Sequence, residues 1–300
     1  MQTALRTPGV QELDDVVTAL RIWQCDNGPL HLAPGDLGWY STRGAAATAA
    51  AIRIWSRGQM ILAVGLLDGP QLLRMAVDPQ MRDDDELARQ VAADVDDQCR
   101  GVLNAGSATI EARGAKRLAH VLAESGWQEG EMWTPFHRDL ADPVGDVSAR
   151  VEVIGPDRAE EWLSVHWSAF VGTPLTEEDQ HLFVDRLRTM AAGPFSASAR
   201  SLAAFDEHDN AVAVATVWSA GPGRPGLVEP MGVHWDHRGR GYGIAISVAA
   251  AAALRDVGSS SATVCAENSN VGAVSTYAAA GFMAHKHVPD LRRNAVPHQS

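Results

Sequence analysis

Glu229 to Gly243 reads E-P-M-G-V-H-W-D-H-R-G-R-G-Y-G and joins an apolar run, Leu227 to Val233, to an alanine-rich segment, Ile244 to Val257. The apolar run predicts a strand, the glycines a loop, and the alanines a helix. Glycines at 239, 241 and 243 allow positive φ and a close approach of the backbone to a ligand. The helix that follows turns unsatisfied N–H groups and its positive dipole end toward the loop, a setting for an anion such as phosphate. A P-loop would place lysine and Ser/Thr after the last glycine, where Ile244 and Ala245 stand. A dinucleotide loop would read G-x-G-x-x-G with an acidic residue about twenty positions on, where Ser261 and Ala262 stand. Neither fits.

Further on, a short apolar strand, Ala262 to Cys265, leads to Asn268-Ser269-Asn270, a helical stretch from Val271 to Ala280, and Gly281-Phe282. The glycine stretch resembles the pyrophosphate loop of the GNAT superfamily of acyl-CoA N-acyltransferases, R/Q-x-x-G-x-G/A, at Arg238, Gly239, Arg240, Gly241, Tyr242 and Gly243. The downstream stretch resembles the same family's N-x-x-A-x-x-x-Y-x-x-x-G-F, at Asn270, Ala273, Tyr277, Gly281 and Phe282. The resemblance to these motifs covers residues 227 to 283. It implies an acetyl-CoA-dependent N-acetyltransferase acting on a primary amine, with acetyl-CoA as co-substrate and no metal.

The whole chain, 300 residues with 46% hydrophobic content, has material for one large or two ordinary domains. No apolar run approaches the ~20 residues of a membrane span, and the opening M-Q-T-A-L-R-T-P-G has no signal-peptide core. A cytoplasmic protein without membrane association is expected. A formal charge of −12 opposes nucleic-acid binding and makes cationic small molecules the easier partners. Cys25, Cys99 and Cys265 are too scattered for a disulfide framework or a zinc site, and are expected as buried small hydrophobes.

The first half opens with an amphipathic helix, Gln11 to Trp23. Residues 26 to 44, with Asn27-Gly28-Pro29, Pro34-Gly35-Asp36 and Arg43-Gly44, read as loop. Ala51 to Trp55, Met60 to Leu67 and Leu72 to Val77 predict a three-stranded meander. A helix from Asp84 to Cys99, a strand Ala108 to Ala112, a helix Ala115 to Glu124 and Gly126-Trp127 follow.

That order recurs. Val77 and Val233, like Arg82 and Arg238, lie 156 apart, Ser107-Ala108-Thr109 and Ser261-Ala262-Thr263 lie 154 apart, and Gly126 and Gly281 lie 155 apart. Near-constant offsets predict two copies of one fold, with a boundary at Asp139 to Asp146. The fold class expected is mixed α/β (α+β): two tandem GNAT-like domains, each a mostly antiparallel mixed sheet flanked by helices, over 1–142 and 146–300. In the first copy Arg82 is followed by Asp83-Asp84-Asp85-Glu86, carboxylates where a pyrophosphate would approach. Leu122 stands at the tyrosine position, so this copy is expected to lack the cofactor site.

The second copy opens with a strand, Val151 to Ile154, a helix from Asp157 to Phe170 capped by the aspartate, and a helix from Thr176 whose T-E-E-D resembles a capping box. Leu202 to Phe205 and Ala211 to Trp218 predict a hairpin. In the family the first two helices line the acceptor pocket, which makes Trp162, His166, Trp167 and Phe170 candidates. Acyl transfer requires a base for the amine. Glu229, four residues before Val233, is the candidate, and Pro230 beside it cannot donate to a ladder and predicts a bulge. The resemblance makes Tyr277 the acid for the leaving thiolate. It assigns the cofactor to Met231, Gly232, Val233, Arg238 to Ile244 (Gly239, Arg240, Gly241, Tyr242 and Gly243 included), Asn270 and Ala273. His234 and His237 lack a third metal ligand. Alternatives are a mycothiol synthase-like acetylation of a cysteinyl sugar, similar in the Asn270 to Phe282 run but not at Glu229-Pro230, or a non-catalytic acyl-CoA sensor. Monomer and homodimer are both open.

Overall fold

The three apolar runs after Ala51 form the expected antiparallel meander, β2 (Ile52–Arg57), β3 (Met60–Leu67) and β4 (Leu72–Val77), with β1 (Ala4–Arg6) added at its edge. The computed structural model describes residues 2–26 and 28–295, so Met1 and Asn27 of the stretches read above lie outside the described residues. Around the meander stand α1 (Leu13–Trp23), α2 (Pro34–Tyr40) and α3 (Ala45–Ala51). After it come α4 (Asp85–Asp96), β5 (Ala108–Glu111), α5 (Lys116–Glu124) and β6 (Gln128–Asp139). The second copy repeats the plan. It runs β7 (Arg150–Val153), α6 (Ala159–Phe170), α7 (Glu177–Ala192), β8 (Ala199–Phe205), β9 (Ala211–Ser219), β10 (Gly226–Val233), α8 (Tyr242–Asp256), β11 (Ser261–Glu267), α9 (Val271–Ala279), β12 (Met283–Ala284) and β13 (Val288–Arg293).

The two mostly antiparallel sheets run together into one, in the order β1-β2-β3-β4-β5-β13-β6-β11-β10-β9-β8-β7. Each copy lends its last long strand to the other. β13 pairs with β5 of the first copy, β6 pairs with β11 of the second, and β6 and β13 pair with each other between them. Of Asp139 to Asp146, the stretch expected to divide the copies, Asp139 ends β6 and residues 140–146 hold no helix or strand. One hydrophobic core is common to both halves: Leu13, Leu20 and Leu37 pack in the same cluster as Trp162, Val184 and Leu227.

Residues 34–40 correct the expectation of a loop from 26 to 44. Pro34 stands at the first turn, where its missing N–H costs nothing, and the Asp36 carboxylate accepts from Ala33 N at 2.6 Å. Gly35 and Gly38 here are packing glycines. A Cβ on Gly38 would lie 2.2 Å from Trp218 Cζ3, and one on Gly35 2.7 Å from Trp218 Cβ. The helix expected from Asp157 instead starts at Ala159, after a 3-10 turn (Pro156–Arg158) and without a side-chain cap, while Arg158 bridges Glu152 and Glu161. Cys25 and Cys99 are exposed and Cys265 half-buried, which overturns the expectation of buried cysteines.

Candidate active site

Proline in β10 interrupts the ladder where the sequence places it. The register of β10 against β9 shifts between Val228 and Met231. On its other side β10 meets the parallel strand β11 only at Gly226↔Ala262 and Leu227↔Thr263, and beyond these rungs the strands part. His234 N donates to Val212 O of the β9 side at 2.9 Å. Alternation along the strand therefore turns the N–H groups of Met231 and Val233 toward the gap.

Two cavities meet at this gap. One, of about 530 Å³, is lined by Met231, Gly232, Val233, Arg238, Gly239, Gly241, Gly243, Ile244, Asn270 and Ala273. All of these are residues expected to hold a cofactor. Arg240 is exposed, and Tyr242 is half-buried with its ring 6.1 Å from that of His237. Neither of these two lines the cavity. Gly241 is the N-cap of α8, with φ 87° and no side-chain cap bond. The N–H groups of Tyr242, Gly243 and Ile244 thus face the groove without an intrahelical partner. A Cβ on Gly239 or Gly241 would meet nothing within 4 Å. Bare amides, the dipole end of a 15-residue helix and open space suit a diphosphate. The Arg238 guanidinium is held by Ala169 O at 3.1 Å and lies over the Trp235 ring. Asn270 caps α9, accepting from Ala273 N at 3.1 Å through its side-chain oxygen, which leaves its amide NH₂ to donate to a ligand.

The second cavity, about 410 Å³, contains Glu229, Pro230, Cys265 and Tyr277 on one wall and Asp68, Arg74, Glu111, Arg113 and Trp133 of the first copy on the other. Phe170, Met231, Asn270 and Ala273 line both cavities, so they communicate. The Glu229 carbonyl accepts from Trp218 Nε1 at 2.7 Å, and Arg74 Nη1 donates to Glu229 Oε1 at 3.4 Å. Arg74 Nε also donates to Glu111 at 3.1 Å, and its Nη2 lies 2.9 Å from Asp36 Oδ1 as an ion pair without hydrogen-bond alignment. Burial opposes its charge, but Asp36, Glu229 and Glu111 hold the guanidinium protonated above the usual range. Burial pushes Asp36 up to about 7, with Glu229 and Glu111 adding to it against the pull of Arg74. Arg113 bridges Glu111 at 3.3 Å and Asp290 at 3.1 Å.

Tyr277 is 5% exposed, packed between Phe136 and Phe282 at 5.5 and 5.9 Å. Burial first, then Glu229 and Cys265, keeps its hydroxyl proton well above the ordinary range. Burial likewise pushes the Cys265 thiol up to about 12.

Of the four aromatic candidates on α6, only Phe170 reaches these cavities. Trp162 is buried and stacks on His166 at 4.9 Å, and Trp167 donates to Thr173 O at 2.8 Å. Burial lowers His166 to about 4. Among the described residues no cluster of His, Cys, Asp or Glu could hold a metal, and no helix is long and apolar enough to cross a membrane. Arg74, Glu111, Arg113 and Asp36 were not anticipated. The repeat offset contains a signal for one of them, since the 156-residue spacing puts Arg74 at the place of Pro230.

Residues 159–282 match the acetyltransferase (GNAT) family. The fold is similar to that of a tandem GNAT protein from the clavulanic acid biosynthesis pathway, at TM-score 0.62 and 16% identity over 99% of this chain and 100% of that one. The family match lies within the second copy, and the chain as a whole shares its fold with tandem GNAT proteins. Similar folds are a GNAT-family acetyltransferase from Colwellia psychrerythraea (TM-score 0.59, 12% identity, 97% and 98% covered) and a GCN5-related N-acetyltransferase from Sphaerobacter thermophilus (0.59, 15%, 97% and 95%). No curated protein matches the sequence. The first copy differs at its own loop. Asp84 caps α4 by accepting from Leu87 N at 2.7 Å and pairs with Arg57 at 3.3 Å, so a carboxylate already occupies the anion position. Its parallel pair, β4 and β5, keeps three rungs, Leu72↔Thr109, Leu73↔Ile110 and Arg74↔Glu111.

Proposed function

We propose that the chain transfers an acyl group from acetyl-CoA, or a related acyl-CoA, directly to a primary amine of a small molecule. The copy within 146–300 is the catalytic one, and the copy within 1–142 binds no cofactor. The observation that carries this reading is that Glu229 and Tyr277 line one cleft, and that this cleft opens into the groove of uncapped amides through Phe170, Met231, Asn270 and Ala273.

Acetyl-CoA supplies the thioester, and the chain supplies the rest. Alkylamines carry a pKa of about 10, so Glu229 removes a proton from the bound ammonium, directly or through a water. The N–H groups of Met231 and Val233 donate to the thioester oxygen as charge develops on it. Tyr277, held in its protonated form, gives its proton to the departing sulfur. The second cleft carries Asp68, Glu111, Glu229 and Glu267 against Arg74 and Arg113. Both arginines are already paired with carboxylates, which leaves an excess of negative charge to attract a cationic amine.

The test is thiol release from acetyl-CoA across a panel of diamines, polyamines, aminoglycosides and cysteinyl sugars. Turnover with one class is expected. Glu229→Gln and Tyr277→Phe should each lower kcat by about 10²–10⁴-fold while CoA still binds. Tight CoA binding without turnover on any amine would replace this reading with that of an acyl-CoA sensor.

A further inference from the structure

The pairing of the two copies sets their strand-parting points against each other. In the second copy Pro230 marks the place where β10 leaves β11. The equivalent position of the first copy holds Arg74, which stays paired with Glu111 as the last rung between β4 and β5. One side chain thus closes the first copy's gap and reaches across to the carboxylate of the second copy's candidate base. We propose that Arg74 is a positioning residue for Glu229, so that the copy without a cofactor site supplies part of the catalytic centre.

The geometry supports this in three ways. Arg74 itself is anchored: its Nε donates to Glu111, its Nη2 is ion-paired with Asp36 at 2.9 Å, and its Nη1 is directed at Glu229 Oε1. Asp36 is fixed in turn by its bond from Ala33 N at the start of α2, and α2 packs through Gly35 and Gly38 on Trp218. Trp218 holds the Glu229 main chain by its indole N–H. Glu229 is therefore gripped at backbone and side chain by one connected assembly. Its side chain, 33% exposed, would otherwise sample several rotamers in the cleft.

This inference rests on Glu229 acting as the base, and a double-mutant cycle separates the two claims. Arg74→Met should lower kcat about 10- to 100-fold with the KM for acetyl-CoA within about twofold, and Arg74→Lys should recover part of the loss. In a Glu229→Gln background the same Arg74→Met change should have no further effect. An equal loss in both backgrounds would overturn the positioning role while leaving the base intact. Full activity of Glu229→Gln would overturn the base itself. If Arg74→Met does not fold, Asp36→Asn, which loosens the anchor without removing the guanidinium, takes its place. Its loss of kcat should again vanish in Glu229→Gln, and a persistent loss there would refute the proposal. CoA titration reports that each variant keeps an intact groove.

Discussion

Gly241→Ala separates what the loop glycine does for the fold from what it does for the ligand. Its φ of 87° lies in the left-handed region, and an added Cβ meets no protein atom within 4 Å. The change therefore has only a backbone cost in the protein alone. That cost is about 1–2 kcal/mol for an L-residue in this conformation, partly offset by the lower entropy of an unfolded chain with alanine in place of glycine. A net loss of about 1 kcal/mol corresponds to a Tm lower by about 2–4 °C for a unit of this size. The ligand-bound state suffers more. The methyl group enters the groove at the N-cap of α8, where a diphosphate would approach the amides of Tyr242 to Ile244. Losing one hydrogen bond to a charged group is worth roughly 1.5–3 kcal/mol, or about 10- to 100-fold in Kd for CoA. Gly106→Ala is the matched control, because Gly106 has φ 91° and equally open surroundings but lies away from the groove. Calorimetric melting should show the same small loss for both variants, and CoA titration a weakened Kd for Gly241→Ala alone. Unchanged affinity in Gly241→Ala, or equal weakening in both, would refute the diphosphate reading of this loop.

Asp36 and Asp290 should make the protein less stable as pH rises from about 4 to 7. Burial is the first cause for both, raising their folded-state values to about 7 and about 6, so in that window the folded state binds more protons than the unfolded one. Asp36→Asn should flatten this slope of Tm against pH, and an unaltered slope would show that Asp36 does not carry it. Ending the chain after Lys286 removes β13, which lies between β5 and β6 and carries Asp290 to Arg113. Two strand edges are bared at once, and the variant should melt at least about 10 °C lower or aggregate. A truncated chain with wild-type melting would mean that the exchanged strand is dispensable.

The meander, the helices and the glycine loop were legible because periodicity and turn chemistry are local. The two exchanged strands were not. Pro135 in β6 and Pro289 in β13 argue against a central strand, yet both occupy paired positions, opposite Cys265 and Met132. Their partners lie more than a hundred residues away, and local composition does not encode that distance. Pro34-Gly35-Asp36 misled for another reason. The same three residue types make a turn or start a helix, and packing against Trp218 decides which. At the site, the motif residues come together along one groove because they are nearly contiguous in the chain. The opposite wall of the cleft was invisible. Arg74, Glu111 and Arg113 belong to no motif, and they come to Glu229 only through the pairing of two copies.

That pairing also constrains what the first copy can do. To open a gap like that between β10 and β11, β4 would have to give up its rung at Arg74↔Glu111. Doing so would release the guanidinium that Asp36 and Glu111 hold against Glu229. Asp84 makes a similar demand at the other end of the strand. It satisfies the N-terminus of α4 from within, and its partner Arg57 sits on β2, beyond β3 from β4. A phosphate admitted there would have to displace a bonded carboxylate from both partners. The closed ladder and the capped helix thus work in the same direction, each making the first copy a rigid wall. The reciprocal strands place that wall across the cleft from Tyr277.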